Sequence, residues 1–318
     1  SMDRGNFLDI NIIYKLIDEC KLNRISQMTI SGGEPFLHPE IYRIIQYINS
    51  KGMSALVITN LSYLPPQKAV DLLKRGNYIQ LTIDSVIKEK NDKIRGDGSF
   101  ELVEKLLYLA NKNNVQTNIT LRMNLGKSNI NEVSAFIEFA KSYGINQAAT
   151  LLIAKIGRGK DYPDAFDYKE SILEIAEIVE ELKSKQEEEK GEIDFAFSNL
   201  DEQRGCAIFG SGPLKCVPRV TPSGDVFFCS YFFGEENVLG NIKNQSLMDI
   251  LESKTSKKFI ELVRLRKNNQ KCSKCLFSDF CMCGCPAVSY MHTENLFETS
   301  DQCEMIKYFI KKQIIKNN

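Results

Sequence analysis

Cysteine is the residue type that points most directly to chemistry in this chain, with eight of its ten copies in residues 216–318. Four of them follow the pattern C-x2-C-x5-C-x3-C: Cys272, Cys275, Cys281 and Cys285. Cys303 follows this run, and Cys216 and Cys229 precede it, flanking a glycine as C-x7-G-x4-C. Thiols at such short intervals are typical of metal ligands. The spacing therefore predicts a metal-binding framework of seven thiols in two blocks.

Disulfide bonds are the competing interpretation of so many cysteines. They form in secreted proteins, but the first 30 residues contain Asp3, Arg4, Asp9 and Lys15 instead of the apolar core of a signal peptide. We therefore expect a cytoplasmic protein with reduced thiols, in which this pattern indicates a metal site. All-thiolate sites suit zinc or iron–sulfur clusters. Zinc ribbons usually carry two C-x2-C pairs and this chain has one, so the spacing favours clusters without excluding zinc.

The composition is that of an ordinary folded chain without a strong overall charge. Its 318 residues are 43% apolar and 26% charged, which is enough for two domains with cores of their own. The 41 basic and 41 acidic side chains balance, so we expect no nucleic-acid partner. No apolar run approaches the roughly 20 residues needed to cross a bilayer, so we expect no membrane role.

Short β-rich segments alternate with segments of helical period before residue 198, which predicts parallel β/α units. The predicted strands are Gln27–Ile30, Ala55–Thr59, Ile79–Ile83, Gln116–Leu121, Ala148–Ile153 and Ile193–Phe197. The predicted helices are 9–22, Pro39–Ser50, Gln67–Arg75 ending at Gly76, Ser99–Asn111 capped by Ser99, Asn131–Lys141 and Tyr168–Lys185. Turns, short strands and cysteines follow, including a hairpin turn at Pro222–Asp225. We therefore predict two domains, residues 1–198 and 199–318.

A second motif, Ser31-Gly32-Gly33-Glu34-Pro35, stands where a predicted strand passes into a helix. One interpretation is a tight turn in which the glycines adopt unusual dihedral angles. The other is a ligand loop, in which Gly32 and Gly33 let the backbone approach a small molecule and Glu34 pairs with a cationic group. Ligands of parallel α/β folds bind at the carboxyl ends of strands, where this motif lies. The motif alone leaves both interpretations open.

Together the two motifs resemble a known family. A strand followed by Gly-Gly-Glu-Pro looks like the S-adenosylmethionine (SAM) binding motif of radical SAM enzymes, and the cysteine-rich tail resembles their SPASM extension. The resemblance implies an α/β fold: a partial (β/α)6 TIM-like barrel followed by a small cysteine-rich SPASM domain with a β-hairpin and helices. It also implies SAM and two auxiliary 4Fe-4S clusters as cofactors, which favours iron over zinc.

The resemblance divides the tail cysteines between two clusters. Cys216, Cys229 and Cys285 would hold the first, with Cys206 as the fourth ligand; without Cys206 that cluster keeps an open iron site. The second would be held by Cys272, Cys275, Cys281 and Cys303. Cys283 is an extra thiol, so its role and that of Cys285 could exchange.

The resemblance also implies contacts to SAM from the barrel. The motif residues Gly32, Gly33, Glu34 and Pro35 would hold its amino group. The other contacts would come from Asn60, Thr82, Asp84 and Arg95. Thr82 and Asp84 stand where the family commonly has Ser-Leu-Asp-Gly, and for Asn60 an asparagine turn is the alternative. No catalytic residue can be named from this sequence.

The chain departs from the family in one respect. The C-x3-C-x2-C loop that holds the SAM-cleaving cluster does not occur in it. We expect that an N-terminal segment of a longer enzyme has been left out, and that a third 4Fe-4S cluster belongs to the full-length parent only. The chain as given would then lack the ligands for SAM cleavage.

The resemblance implies a function for that parent: a radical SAM/SPASM maturase that modifies a ribosomally synthesised peptide or a protein side chain through a 5′-deoxyadenosyl radical. Its partners would be the peptide or protein substrate and an electron donor such as flavodoxin or ferredoxin. A sulfatase-maturing enzyme and a small-molecule dehydrogenase are alternative enzymes. A non-catalytic iron–sulfur module for electron transfer or peptide binding is the alternative outside enzymes.

Overall fold

The computed structural model describes residues 7–153, 155, 161–167, 171, 175–178, 194–197, 216–229, 231–232, 234–281, 283–299 and 302–316. Its contacts divide the chain into two compact units. The sheet unit comprises residues 1–2, 25–153 and 177–199. The tail unit comprises residues 3–24, 154–176 and 200–318, so helix α1 (Ile10–Leu22) belongs to it.

The sheet unit is built on six parallel strands that pair in chain order. Their bounds are β1 Gln27–Ile30, β2 Ser54–Thr59, β3 Tyr78–Ile83, β4 Ile119–Leu125, β5 Gln147–Leu152 and β6 Asp194–Phe197. Along β2, β3 and β4, buried and partly exposed residues alternate, so one face of the sheet is closed and the other is partly open. Parallel strands in sequential order confirm the predicted α/β fold.

Helices connect the strands of the sheet unit, and most of them bury a stripe of apolar residues. They are α2 Ile41–Ser50, α3 Pro66–Lys74, α4 Lys88–Arg95, α5 Ser99–Lys112 and α6 Val133–Ser142. The buried residues of α2 are isoleucines spaced on one helical face: Ile41, Ile44, Ile45 and Ile48. Gly76 follows α3 with φ +78°, a left-handed conformation that favours glycine, as the sequence predicted.

The tail unit adds a small antiparallel sheet and short helices. The strands are β7 Arg219–Val220, β8 Asp225–Phe227 and β9 Gly240–Asn241, and the helices are α7 Leu247–Glu252, α8 Lys254–Leu265, α9 Ser278–Cys281, α10 Pro286–Thr293 and α11 Cys303–Lys316. Strands β7 and β8 form the predicted hairpin, with Gly224 at φ +90° in its turn. A Cβ there would lie 2.6 Å from the Asn241 Oδ1, so the turn requires glycine. Within the described ranges, no helix is long and apolar enough to span a membrane.

Glu19 of α1 holds the beginning of α7. Its carboxylate accepts hydrogen bonds from the N–H groups of Leu247 and Met248, at 2.9 and 2.8 Å. The first N–H groups of a helix have no partner within it, so these contacts satisfy donors that the helix itself cannot. Ser246 provides a second cap by accepting from the Asp249 N–H at 3.0 Å.

Three local predictions are corrected by the structure. Strand β4 begins at Ile119 because residues 116–118 form a 3-10 turn. Ser99 is the first residue of α5 and not its cap; Gly98 occupies that position, and the Asp92 carboxylate accepts the hydrogen bond from Phe100 N–H at 2.9 Å. Helix α4 was not predicted. The predicted helix Tyr168–Lys185 lies largely outside the described residues. Within this range, residues 175–178 are described and are helical.

Candidate functional site

The loop Ser31–Pro35 follows β1, and Glu34 holds it to the end of β2. Glu34 is only 8% exposed. Its Oε1 accepts hydrogen bonds from the Thr59 hydroxyl at 2.8 Å and the Phe36 N–H at 3.2 Å, and its Oε2 accepts one from the Asn60 N–H at 2.9 Å. A carboxylate has about four acceptor positions, so these bonds leave room for a ligand amine. Glu34 therefore shapes the loop whether or not a ligand is bound.

Gly32 and Gly33 are exposed, and neither requires glycine for the fold. A Cβ at either position would have no atom within 4 Å, and neither residue has a positive φ. Neither glycine therefore has the left-handed backbone conformation that the tight-turn interpretation relied on, although the chain bends at both of them. Two glycines in this place instead leave the backbone uncovered at the end of β1, which agrees with the ligand-loop interpretation.

Asn60 and Thr82 lie near the carboxyl ends of the next two strands. Asn60 is exposed, and its Oδ1 accepts a hydrogen bond from the Ser62 N–H at 2.9 Å, which is the asparagine turn given as its alternative role. Thr82 is partly exposed within β3 and pairs in register with Arg122 of β4. The structure thus brings both residues to the sheet edge that carries Gly32 and Gly33.

Asp84 and Arg95, both predicted to contact SAM, contact each other. The Arg95 Nε lies 2.7 Å from the Asp84 Oδ2. Asp84 is 8% exposed, and its Oδ1 also accepts from the Asn124 amide at 3.1 Å, while its N–H donates to the Asn91 Oδ1 at 2.9 Å. Asp84 therefore connects the end of β3 to α4 through Arg95 and to β4 through Asn124. Ligand contacts by either residue stay a prediction.

Glu132 belongs to the same strand edge, although sequence analysis did not single it out. It is 9% exposed, and its carboxylate accepts hydrogen bonds from the Ser85 hydroxyl at 2.6 Å, the Val86 N–H at 3.0 Å and the Lys90 ammonium at 2.9 Å. These bonds fix the loop after β3. The partners are 42 to 47 residues away in sequence, so no local spacing rule identifies them.

A cavity in the tail unit is surrounded by sulfur. Its lining includes five cysteines, Cys272, Cys275, Cys281, Cys283 and Cys303, and no carboxylate. The nine described cysteines are all free thiols, so none of them forms a disulfide. Burial raises the pKa of Cys281 and of Cys303. No group of His, Cys, Asp and Glu in the described ranges is placed to hold a single metal ion. Thiols alone are the donor set that iron–sulfur clusters use, so the residues fit such a group.

Cys283 is the unexpected member of this cavity. It is 7% exposed and has φ +65°, in the left-handed region. Burial raises its pKa to about 12, and the neighbouring Cys272 adds to the effect. All four cysteines of the predicted second ligand set line this cavity, and Cys283 is a fifth thiol in its lining. Cys285 does not line the cavity and stands at the N-cap of α10.

The predicted first ligand set is only partly described. Cys206 lies outside the described residues. Cys216 and Cys229 flank the β7–β8 hairpin; burial raises the pKa of Cys216 to about 11, and the Cys229 sulfur accepts a hydrogen bond from the Tyr231 N–H at 3.4 Å. The assignment of these thiols to one cluster stays a prediction.

Aromatic side chains form a dry layer next to Cys229. Phe228 and Phe232 are 2% and 1% exposed, and their rings lie 5.3 and 5.0 Å from the ring of Phe259. Exclusion of water is one of the ways in which proteins tune iron–sulfur clusters.

Two family models match the chain. The radical SAM superfamily model matches residues 1–140, and the model of an iron–sulfur cluster-binding domain, SPASM, matches residues 216–276. The chain thus combines a region of the radical SAM superfamily with a SPASM domain. Domains of these families bind SAM and 4Fe-4S clusters, which confirms the predicted classes of cofactor.

Several known proteins can be aligned with most of this chain. Mycofactocin maturase MftC of Mycolicibacterium smegmatis is 26% identical over 286 residues, which cover 86% of this chain and 69% of that protein. The subtilosin biosynthesis protein AlbA of Bacillus subtilis is 27% identical, with 81% and 56% covered. Among solved structures, anSMEcpe with bound AdoMet and the Cp18Cys peptide has a TM-score of 0.73 at 16% identity, covering 97% of this chain and 90% of that one. Streptococcus suis SuiB bound to S-adenosylmethionine also has a TM-score of 0.73, at 15% identity, with 91% and 68% covered.

Proposed function

We propose that the full-length protein is a radical SAM/SPASM maturase that modifies a ribosomally synthesised peptide or a protein side chain. The observation that carries this proposal is the presence, in one chain, of an uncovered glycine loop at the strand ends and a five-thiol cavity. The names of similar proteins support the substrate class. MftC is named a maturase, and SuiB and anSMEcpe have structures with a precursor peptide and a Cp18Cys peptide.

The sheet unit would bind and orient SAM. The uncovered backbone of Gly32 and Gly33 and the remaining acceptor position of Glu34 would hold the amino group, beside Pro35. Asn60 and Thr82 offer polar groups at the neighbouring strand ends, and the Asp84–Arg95 pair supports that edge. When bound, SAM and the clusters supply the 5′-deoxyadenosyl radical and a path for electrons, while the protein positions the reactants.

The tail unit would hold two auxiliary 4Fe-4S clusters. Our assignment for the cavity is Cys272, Cys275, Cys281 and Cys303, with Cys283 as a thiol beside them. The other four ligands would be Cys206, Cys216, Cys229 and Cys285. We include in the proposal a cytoplasmic location, where thiols stay reduced, and an electron donor such as flavodoxin or ferredoxin.

The test is a reaction of the full-length protein, reconstituted anaerobically with iron and sulfide, reduced, and incubated with SAM and candidate precursor peptides. We expect a peptide to lose hydrogen, measured by mass spectrometry, as 5′-deoxyadenosine forms. The variant Gly33→Ala, which changes the proposed SAM-binding loop, should lower both products together.

Two other outcomes separate the alternatives. If 5′-deoxyadenosine forms with no change in any peptide but with oxidation of a small molecule, the protein is a dehydrogenase and the maturase proposal fails. If the protein holds iron but does not bind SAM, it is an electron-transfer or peptide-binding module.

A further inference from the structure

Arg266 is a buried cation next to the cysteine cavity. It is 2% exposed and begins the 3-10 turn Arg266–Asn268 after α8. The guanidinium group stays protonated in proteins, and a buried charge is tolerated only where hydrogen bonds compensate its lost hydration. The groups that Arg266 contacts should therefore reveal what the charge does.

The guanidinium donates to the loop that carries the cysteines. Its Nη1 donates to the Gly284 carbonyl and its Nη2 to the Cys283 carbonyl, each at 2.9 Å. Nη2 also donates to the Ser289 hydroxyl at 2.7 Å, and Nε donates to the Leu296 carbonyl at 2.8 Å. The planar, rigid fork of arginine suits such simultaneous contacts. Arg266 thus binds a loop, a helix and the following turn at once.

Two consecutive residues of this loop have left-handed backbone conformations. Cys283 has φ +65° and Gly284 has φ +69°. For a residue other than glycine this conformation costs about 1–2 kcal/mol, so the surrounding contacts must hold it. Because of the turn, Cys281 and Cys283 line the cavity, whereas Cys285 stands at the start of α10 and does not. Arg266 donates hydrogen bonds to the carbonyl groups of both residues in this turn.

The cavity has other cations nearby, but they are in contact with water. Lys271 lines the cavity and is exposed, and Lys307 is 30% exposed and pairs with Glu304 at 2.9 Å. Solvent and salt screen such charges, whereas the field of a buried charge is screened much less. A nearby positive charge stabilises the more negative, reduced form of a cluster and therefore raises its reduction potential.

We propose that Arg266 is a positioning residue of the cluster site in this cavity. It holds the Cys283–Gly284 turn, which directs Cys281 to this cluster and Cys285 away from it, and its fixed charge raises the reduction potential of the cluster. The inference rests on the iron–sulfur occupancy of the proposed function.

The test compares Arg266→Met and Arg266→Lys with Lys267→Met in the full-length, anaerobically reconstituted protein. Lys267→Met removes one positive charge from the adjacent, exposed residue and is the matched control. Iron and sulfide counts measure occupancy, and redox titration followed by electron paramagnetic resonance measures the potential of each cluster.

We expect Arg266→Met to shift one cluster to a more negative potential, or to lower iron from about twelve to about eight per chain, without change in the other two clusters. Arg266→Lys keeps a charge but has only three donors, so its potential should lie between those of Arg266→Met and the wild type. Lys267→Met should match the wild type.

Wild-type iron and potentials in both Arg266 variants would overturn the inference. So would a shift in Lys267→Met as large as that in Arg266→Met. A wild-type protein that takes up no iron would instead refute the proposed function, so the two failures are distinguishable.

Discussion

At the carboxyl edge of the parallel sheet, the buried charged groups already have partners within the protein. Glu34, Asp84 and Glu132 each accept hydrogen bonds from neighbouring strands or loops. Among the cysteines that line the cavity of the tail unit, burial raises the pKa of Cys281, Cys283 and Cys303. Thiols are weak hydrogen-bond donors, so they tolerate burial without strong partners.

This difference indicates which of the two sites needs its ligand to keep an ordered structure. The sheet-edge site is shaped by bonds between protein groups and should persist without SAM. The sulfur atoms of the cavity gain strong partners only when an iron–sulfur cluster binds to them. Binding of a metal group is coupled to folding, so this site should depend on its cluster for order. Mutations at the two sites should therefore separate SAM affinity from iron content.

The largest effect is expected for Cys275→Ala in the full-length protein. Loss of one of four ligands should lower iron from about twelve to about eight per chain and reduce the thermal stability of the tail unit. Iron and sulfide assays together with a thermal melt measure both. Cys20→Ala is the control, because Cys20 is buried in α1 and is no part of the cavity. Equal iron in wild type and Cys275→Ala would contradict the ligand assignment.

Glu34→Ala should have the largest effect at the sheet edge. The change leaves the Thr59, Phe36 and Asn60 donors without their acceptor, and an unsatisfied buried group costs about 1–3 kcal/mol of unfolding free energy. SAM affinity should fall as the loop loosens, with auxiliary iron unchanged. Denaturant melts and equilibrium dialysis measure the two quantities. The nearby Glu40→Ala, which breaks only an exposed pair with Arg43, should change stability by less than about 1 kcal/mol.

Gly33→Ala sharpens the comparison because it should affect ligand binding alone. Its Cβ meets no atom, so stability should equal that of the wild type, while the dissociation constant for SAM rises about tenfold or about 1.4 kcal/mol. Gly144→Ala should do the reverse. Gly144 has φ +68° and a Cβ there would lie 2.9 Å from the Asn111 Nδ2, so this variant should lose stability and keep SAM affinity. Weakened stability in Gly33→Ala would show that the loop needs glycine for folding.

The smallest expected effect is a pH dependence at Asp92. The Phe100 N–H, followed by the Ser99 hydroxyl and the Gly98 N–H, lowers the pKa of this carboxyl below its usual value. A lowered pKa means that its contribution to stability is present above the unfolded pKa of about 3.9 and is lost as the pH falls through the folded pKa. Asp92→Asn should therefore flatten the acid side of the stability curve, measured by denaturant melts from neutral to acidic pH. An unchanged slope would contradict this role.

Periodicity and spacing predict the parts of this molecule that depend on local sequence. The strand Gln27–Ile30, the left-handed Gly76 and the hairpin around Gly224 all follow from patterns within a few residues. The cysteine spacing likewise predicts the metal-binding tail. Glu132 and Arg266 could not be predicted, because their partners are 17 to 47 residues away and are brought close only by the fold. Asp84 and Arg95 were recognised separately, and only the structure pairs them.

The contact between Glu19 and the first turn of α7 has a consequence for biosynthesis. The two ends of this contact are 228 positions apart, so α1 leaves the ribosome long before its partner is made. The sheet unit can assemble from neighbouring segments during that interval, whereas the tail unit must wait for a very long loop to close, which is slow. We expect the sheet unit to fold first in the nascent chain. The cysteine-bearing unit should fold last, when Glu19 of α1 contacts the first turn of α7.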